Sequence, residues 1–185
     1  MFKLSILSTL LAAGLFLGAC SSSENSEDAN ALLASNEYVL KTLQKSQIIL
    51  QKSPEGFSLK SPQAKLLIID VFATWCPPCQ AEAPHLASLQ EKYGDDILVV
   101  GVSIEEGIEN SKLEDFRQTY GANYTLVNSS ENGRLVDALA KELKLGSNFG
   151  IPLLAIYKDG KLVQYYQGAV EEEFIDSDIK RALGI

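Results

Sequence analysis

Residues Leu66–Phe72 read LLIIDVF, an apolar, β-branched run broken by a single acid, and after two more residues the chain spells W-C-P-P-C at 75–79. A short run of this kind is a strand buried on both faces. From Pro77 to about Tyr93 the spacing turns helical, with Leu86, Leu89 and Tyr93 on one face and Gly94 as the stop. A buried strand that feeds a helix within a few residues begins an alternating α/β architecture. The chain has 185 residues, 46% of them hydrophobic and 22% charged, which suits one domain with a sizeable core.

The alternation continues on both sides. Residues 38–42 and 47–50 are short β-like runs separated by a polar break, an N-terminal hairpin. Residues 97–102 form a second buried strand, 111–120 a helix ended by Gly121, and 124–127 a short strand. Residues 133–143 are a helix with Leu135, Val136, Leu139 and Leu143 as its apolar face. Residues 152–157 and 162–166 flank Asp159-Gly160, a hairpin signal. Residues 171–183 are a closing helix with acids in its first turn. The order implies a mixed central sheet flanked by helices on both faces, and no internal repeat is present.

Ahead of residue 37 the character changes. Met1-Phe2-Lys3 carries one Lys, residues 4–17 are almost wholly apolar or small, and Leu17-Gly18-Ala19-Cys20 closes the stretch. This is the layout of an export signal, and it is short of the roughly 20 apolar residues a spanning helix needs. Residues 21–36 are rich in Ser, Asn and acids, the composition of a flexible linker that spans roughly 20–24 Å. The expected organisation is a signal peptide at 1–19, a tether at 20–36 and one folded domain at 37–185. The ending L-G-A-C resembles the bacterial lipobox, which implies that Cys20 is diacylated, becomes the mature N-terminus and anchors the chain to a membrane. A plain signal peptide with an incidental Cys and a stop-transfer anchor are the competing readings. The net charge of −8 offers no basic face to a nucleic acid.

The chain has three cysteines. With Cys20 set aside, Cys76 and Cys79 remain, spaced C-x-x-C where the strand ends and the helix begins. Unpaired amides and the helix dipole favour an anion at a helix N-terminus. Cys76 would be that anion, a thiolate with a pKa below the free value of about 8.5 and the attacking group. Cys79, one turn in, is near enough to close a disulfide with it. Prolines at 77 and 78 are tolerated because the first helical amides lack partners anyway. In an oxidising, exported setting a lone pair is a redox couple rather than a staple. Half of a zinc site is the alternative, but it needs two more ligands and the one His is His85. No metal is expected.

F-A-T-W-C-P-P-C resembles the active-site segment of the thioredoxin superfamily, and in particular of its TlpA/ResA-type thioredoxin-like lipoproteins. The similarity covers most of the domain, residues 37–183. Pro84 matches the family's helix-kinking proline. Gly150-Ile151-Pro152 matches its cis-proline element, which lies beside the C-x-x-C and lets the backbone of residue 151 pair with a bound client. Asp159-Gly160-Lys161 is similar to the following hairpin turn, Gly168 to the glycine before the last helix, and 103–130 to the TlpA-type central insertion. The resemblance implies a thioredoxin-like fold and a thiol–disulfide oxidoreductase with no cofactor beyond the Cys76–Cys79 couple. It implies a client-binding rim of Trp75, Pro77, Pro78, Ile151 and Pro152. The implied partners are disulfides in exported proteins, such as apocytochrome c, and a membrane electron donor of the DsbD/CcdA type. A monomer facing the periplasm or cell exterior completes the expectation.

Two acids belong to the candidate site. Asp70 interrupts the buried strand, where a carboxylate is costly unless paired or raised in pKa. It matches thioredoxin's buried aspartate, which relays a proton for the second cysteine. Many TlpA-type proteins are neutral there, so this chain departs from their habit; an Asp turned to solvent is the plain alternative. Glu82, three residues after Cys79, is a helix neighbour of that thiol and is similar to a ResA-type feature; an exposed helix Glu is its alternative. His85 reads as structural or surface. Pro77 and Pro78 lack amide hydrogens, so two donors that could face the Cys76 sulfur are missing. A less stabilised thiolate implies a more reducing couple, a reductase before a strong oxidase. A non-catalytic or copper- or zinc-binding lipoprotein of the same fold is the alternative function. A Sco-type copper carrier favours C-x-x-x-C, and a peroxiredoxin-like site wants Thr or Ser three residues before its Cys, where this chain has Ala73.

Overall fold

Every residue of Leu66–Phe72 is buried, as a strand covered on both faces requires. The structure is a computed structural model that describes residues 36–61, 63–146 and 148–185. The expected signal segment, Cys20 and all of the tether except Asn36 lie outside the described residues. Three strands come first: β1 (Glu37–Lys41), β2 (Gln47–Ser53) and β3 (Gly56–Leu59). They are followed by β4 (Leu66–Phe72), α1 (Pro77–Tyr93), β5 (Ile97–Ser103), α2 (Asn110–Tyr120), β6 (Thr125–Val127) and α3 (Asn132–Glu142). The chain closes with β7 (Leu153–Lys158), β8 (Lys161–Gln167) and α4 (Glu172–Leu183).

Five strands form the central sheet in the order β6-β5-β4-β7-β8. β4, β5 and β6 run parallel, and β7 and β8 are antiparallel to their neighbours. The sheet is mixed because α1 and α2 return the chain for parallel strands, whereas β7 and β8 are joined by a two-residue turn. Asp159 and Gly160 both take positive φ, 50° and 78°, the backbone that such a turn demands.

The period of two in β4 divides the core. Leu66, Ile68 and Phe72 pack with Leu86 and Leu89 of α1, Phe116 of α2 and Ile179 of α4. Leu67, Ile69 and Val71 pack with Leu135 and Leu139 of α3 and with Leu50 and Phe57 of the small N-terminal sheet. By the same alternation Asp70 belongs to the face that carries α1.

The architecture is the expected thioredoxin-like α/β fold, and the N-terminal element is larger than expected. The hairpin gains a third strand, β3, antiparallel to β2. Its four residues, GFSL, are too few to show an alternation, and burial of Phe57 under the sheet is what fixes them. The insertion supplies α2 and the edge strand β6, whose Val127 also bridges Thr42 of the N-terminal segment.

Candidate active site

β4 delivers the chain into α1 through Ala73, Thr74 and Trp75. Cys76 caps the helix with extended backbone, φ −87° and ψ 109°, and Pro77 and Pro78 occupy the first two helical positions. The Cys76 sulfur accepts from the Cys79 amide at 3.3 Å. The two cysteines form a disulfide, with Cα atoms 5.2 Å apart. Each cysteine is only 3% exposed, but Trp75 is 64% exposed, and Pro77 and Pro78 are exposed as well. Cys76 is thus flanked by surface residues, whereas Cys79 is followed in the helix by buried Glu82 and Ala83.

The Ile151-Pro152 peptide is cis. The Ile151 carbonyl oxygen lies 3.8 Å from the Cys76 sulfur. Pro152 is buried and its carbonyl accepts from the Gly168 amide at 2.8 Å, which ties this loop to the end of β8. Trp75, Pro77, Pro78 and Ile151 therefore gather around Cys76, with Pro152 behind them.

Asp70 and Glu82 both lie inside the protein, each 2% exposed. Neither solvent-facing alternative holds. The Asp70 Oδ2 accepts from the Tyr124 hydroxyl at 2.9 Å, and the Glu82 Oε1 accepts from the Val170 amide at 3.2 Å. The second oxygen of each carboxyl, Oδ1 of Asp70 and Oε2 of Glu82, is buried without a hydrogen-bond partner. Burial pushes Asp70 up to about 7, with the Tyr124 hydrogen bond pulling the other way. Burial and then the nearby Asp70 charge push Glu82 up to about 8, against the pull of the Val170 amide. Two buried acids with free oxygens and near-neutral midpoints can exchange protons with a titrating thiol. His85 is half-buried on α1 and takes no part in these contacts.

Sequence reasoning missed the groups that hold the site. The Glu105 carboxylate accepts from the Thr74 amide at 2.7 Å and from its hydroxyl at 3.1 Å. The Gln80 side-chain amide donates to the Thr74 carbonyl at 2.7 Å. All three polar groups of Thr74 are thereby fixed two residues before Cys76. Glu105 lies 31 residues from Thr74, and no local pattern marks it. Tyr124 is 54 residues from Asp70, but it had a signal in Gly101. A glycine inside a buried, β-branched strand marks a close approach.

Among the described residues, no group of three or more His, Cys, Asp or Glu is placed to hold a metal. No helix among them is long and apolar enough to cross a membrane.

A family model described as Redoxin matches residues 40–183. Thioredoxin-like protein YneN of Bacillus subtilis is 30% identical over 49% of this chain and 49% of its own length. Thiol-disulfide oxidoreductase ResA of the same organism is 24% identical over 79% of this chain and 78% of its own. The match to YneN spans about half of that relative's length. The solved structure of a thiol:disulfide interchange protein from Chlorobium tepidum superposes with a TM-score of 0.62 at 21% identity, over 80% of this chain and 94% of that one. That likeness is one of fold.

Proposed function

The chain belongs to the redoxin family, and from that premise we propose that it is a thiol–disulfide oxidoreductase working through Cys76 and Cys79. The carrying observation is the Cys76–Cys79 disulfide at the start of α1, under an exposed rim and beside the Ile151 carbonyl. The name ResA among its relatives supports the same chemistry.

In the reducing direction, the Cys76 thiolate attacks one sulfur of a client disulfide, and the other client sulfur leaves as a thiolate. Cys79 then loses its proton and attacks the Cys76 sulfur of the mixed disulfide. The second client sulfur leaves as a thiolate. Two electrons have passed to the client, and the Cys76–Cys79 disulfide closes. Asp70 takes the Cys79 proton, which suits a buried carboxyl with a raised midpoint and a free oxygen. Glu82, equally buried and with its ionisation opposed by the Asp70 charge, is the second candidate acceptor. Trp75, Pro77 and Pro78 receive the client, and the Ile151 backbone pairs with it.

The clients are disulfides of exported proteins, with the haem-binding cysteines of apocytochrome c as the leading case. A membrane dithiol of the DsbD/CcdA type returns the two electrons. The chain acts as a monomer, facing the periplasm or cell exterior, and is held to the membrane by a lipid on Cys20. Insulin reduction with dithiothreitol as the electron source tests the activity: the protein accelerates precipitation, and Cys76→Ser abolishes the acceleration. Equal rates with and without Cys76 would end the proposal. For the anchor, Cys20→Ala moves the protein out of the detergent phase; unchanged partitioning excludes the lipid.

A further inference from the structure

We propose that Tyr124 is a positioning residue of the redox site, holding the Asp70 carboxyl through a gap left by Gly101 and so setting the pH range in which Cys79 is activated. The inference deepens the reading that Asp70 takes the Cys79 proton and rests on it.

Asp70 and Gly101 are register partners in the parallel pair β4–β5. A Cβ at Gly101 would lie 2.9 Å from Cε2 of Tyr124 and 2.7 Å from Cδ2 of Leu126, distances at which something must shift. The missing side chain is therefore the space that the Tyr124 ring occupies. From there the hydroxyl donates to Asp70 Oδ2 at 2.9 Å. Tyr124 is 6% exposed, so the bond is shielded from water and strong for its length.

The bond makes the two oxygens of Asp70 unequal. Oδ2 is committed to Tyr124, while Oδ1 is buried and unpartnered. Oδ1 is thus the oxygen free to take a proton. A donor to a carboxylate favours its charged form. Tyr124 thereby keeps Asp70 ionisable at a site where burial alone would hold it protonated. The groups facing Asp70 can be named element by element. α1 contributes Glu82, whose ionisation the Asp70 charge opposes. The segment before β6 contributes Tyr124. The register partners on β5 and β7, Gly101 and Leu154, contribute no charge. Burial and the Asp70 charge hold the Tyr124 hydroxyl well above the usual tyrosine range, so it remains a donor throughout.

The test uses the full chain and two readouts: carbon-13 titration of the Asp70 carboxyl, and stopped-flow resolution of a model mixed disulfide across pH. Tyr124→Phe should move both midpoints up by about one pH unit. In an Asp70→Asn background the same change should move the kinetic profile no further. Gly101→Ala, which displaces the ring, should copy Tyr124→Phe; because it can disrupt the fold, Tyr124→Phe carries the decision. If Asp70→Asn moves the kinetic profile and Tyr124→Phe leaves both midpoints in place, the inference falls and the role of Asp70 stands. If Asp70→Asn itself leaves the profile unmoved, the role of Asp70 falls and takes the inference with it.

Discussion

The amide of Cys79 donates to the sulfur of Cys76 at 3.3 Å, across two prolines that have no amide hydrogen to give. A side chain at a helix N-cap ordinarily draws on the second and third helical amides. Here the second, at Pro78, is absent. Hydrogen bonds to a thiolate lower its pKa, so the loss of one donor to Cys76 is expected to make the couple more reducing.

Pro77→His is the informative change. It restores the first helical amide, not the second one missing at Pro78, and places an imidazole beside the sulfur. The expected outcome is a lower Cys76 pKa and a more oxidising couple, by about 30 mV for each tenfold change in the equilibrium constant. Equilibration against glutathione buffers reads this directly. A potential that does not rise removes the argument for a reductase, and the direction of electron flow then falls to the partner.

The environments of the two cysteines predict different trapping. Cys76 is flanked by exposed Trp75, Pro77 and Pro78, so it is expected to meet the client first. Cys79→Ser should accumulate mixed disulfides with client proteins, and Cys76→Ser should not. Non-reducing gels of cells expressing each variant decide it, and equal trapping by both contradicts the assignment.

Much of this was legible in the sequence, for reasons that can be named. The β4 run and the Leu86, Leu89 and Tyr93 spacing of α1 are local signals of buried faces, and the structure follows them. Asp159-Gly160 fixed a turn because few residues tolerate positive φ. The third strand of the N-terminal sheet was not legible, since Gly56–Leu59 owes its pairing to β2 and its burial to Phe57. The position of Glu82 was undecidable from helical spacing alone, because it depends on where Val170 and Asp70 lie after folding. Glu105 and Tyr124 act on partners far along the chain, and only Gly101 left a trace of either.

Glu105 should act on the chemistry only through the loop that carries Cys76. Its carboxylate holds the Thr74 amide and hydroxyl and also accepts from Ser103 Oγ at 3.3 Å. Bonds to a charged acceptor contribute about 1.5–3 kcal/mol each when their partner is lost without replacement. Glu105→Ala should therefore lower stability by about that amount in urea and slow client attack, while Glu105→Gln recovers part of both. A stability unchanged within about 0.5 kcal/mol means that water replaces the carboxylate and the clamp is not needed.

The two buried acids make stability depend on pH in a direction opposite to most carboxylates. Asp70 titrates at about 7 in the folded chain against 3.8 ordinarily, and Glu82 at about 8 against 4.5. Between roughly pH 4 and 8 the folded state therefore holds protons that the unfolded state has released. With more protons bound in the folded state, unfolding free energy falls as pH rises. The favourable contribution is fully present below about pH 4 and is lost as pH passes the folded midpoints. A tenfold difference in proton affinity between the two states corresponds to about 1.4 kcal/mol, so Asp70→Asn should stabilise the chain by roughly 2–4 kcal/mol at pH 8 and by little at pH 4. Glu82→Gln should act in the same sense, and it keeps an oxygen for the Val170 amide. Urea denaturation of the oxidised protein at pH 4, 6 and 8 separates these effects from thiol titration, because the bonded cysteines carry no proton. Asp70→Asn should at the same time slow resolution of the mixed disulfide, since the group that costs stability is the one proposed to receive the proton. A variant that loses stability at pH 8 would show that the Asp70 carboxylate is paired there, and with that the case for a near-neutral proton acceptor is gone.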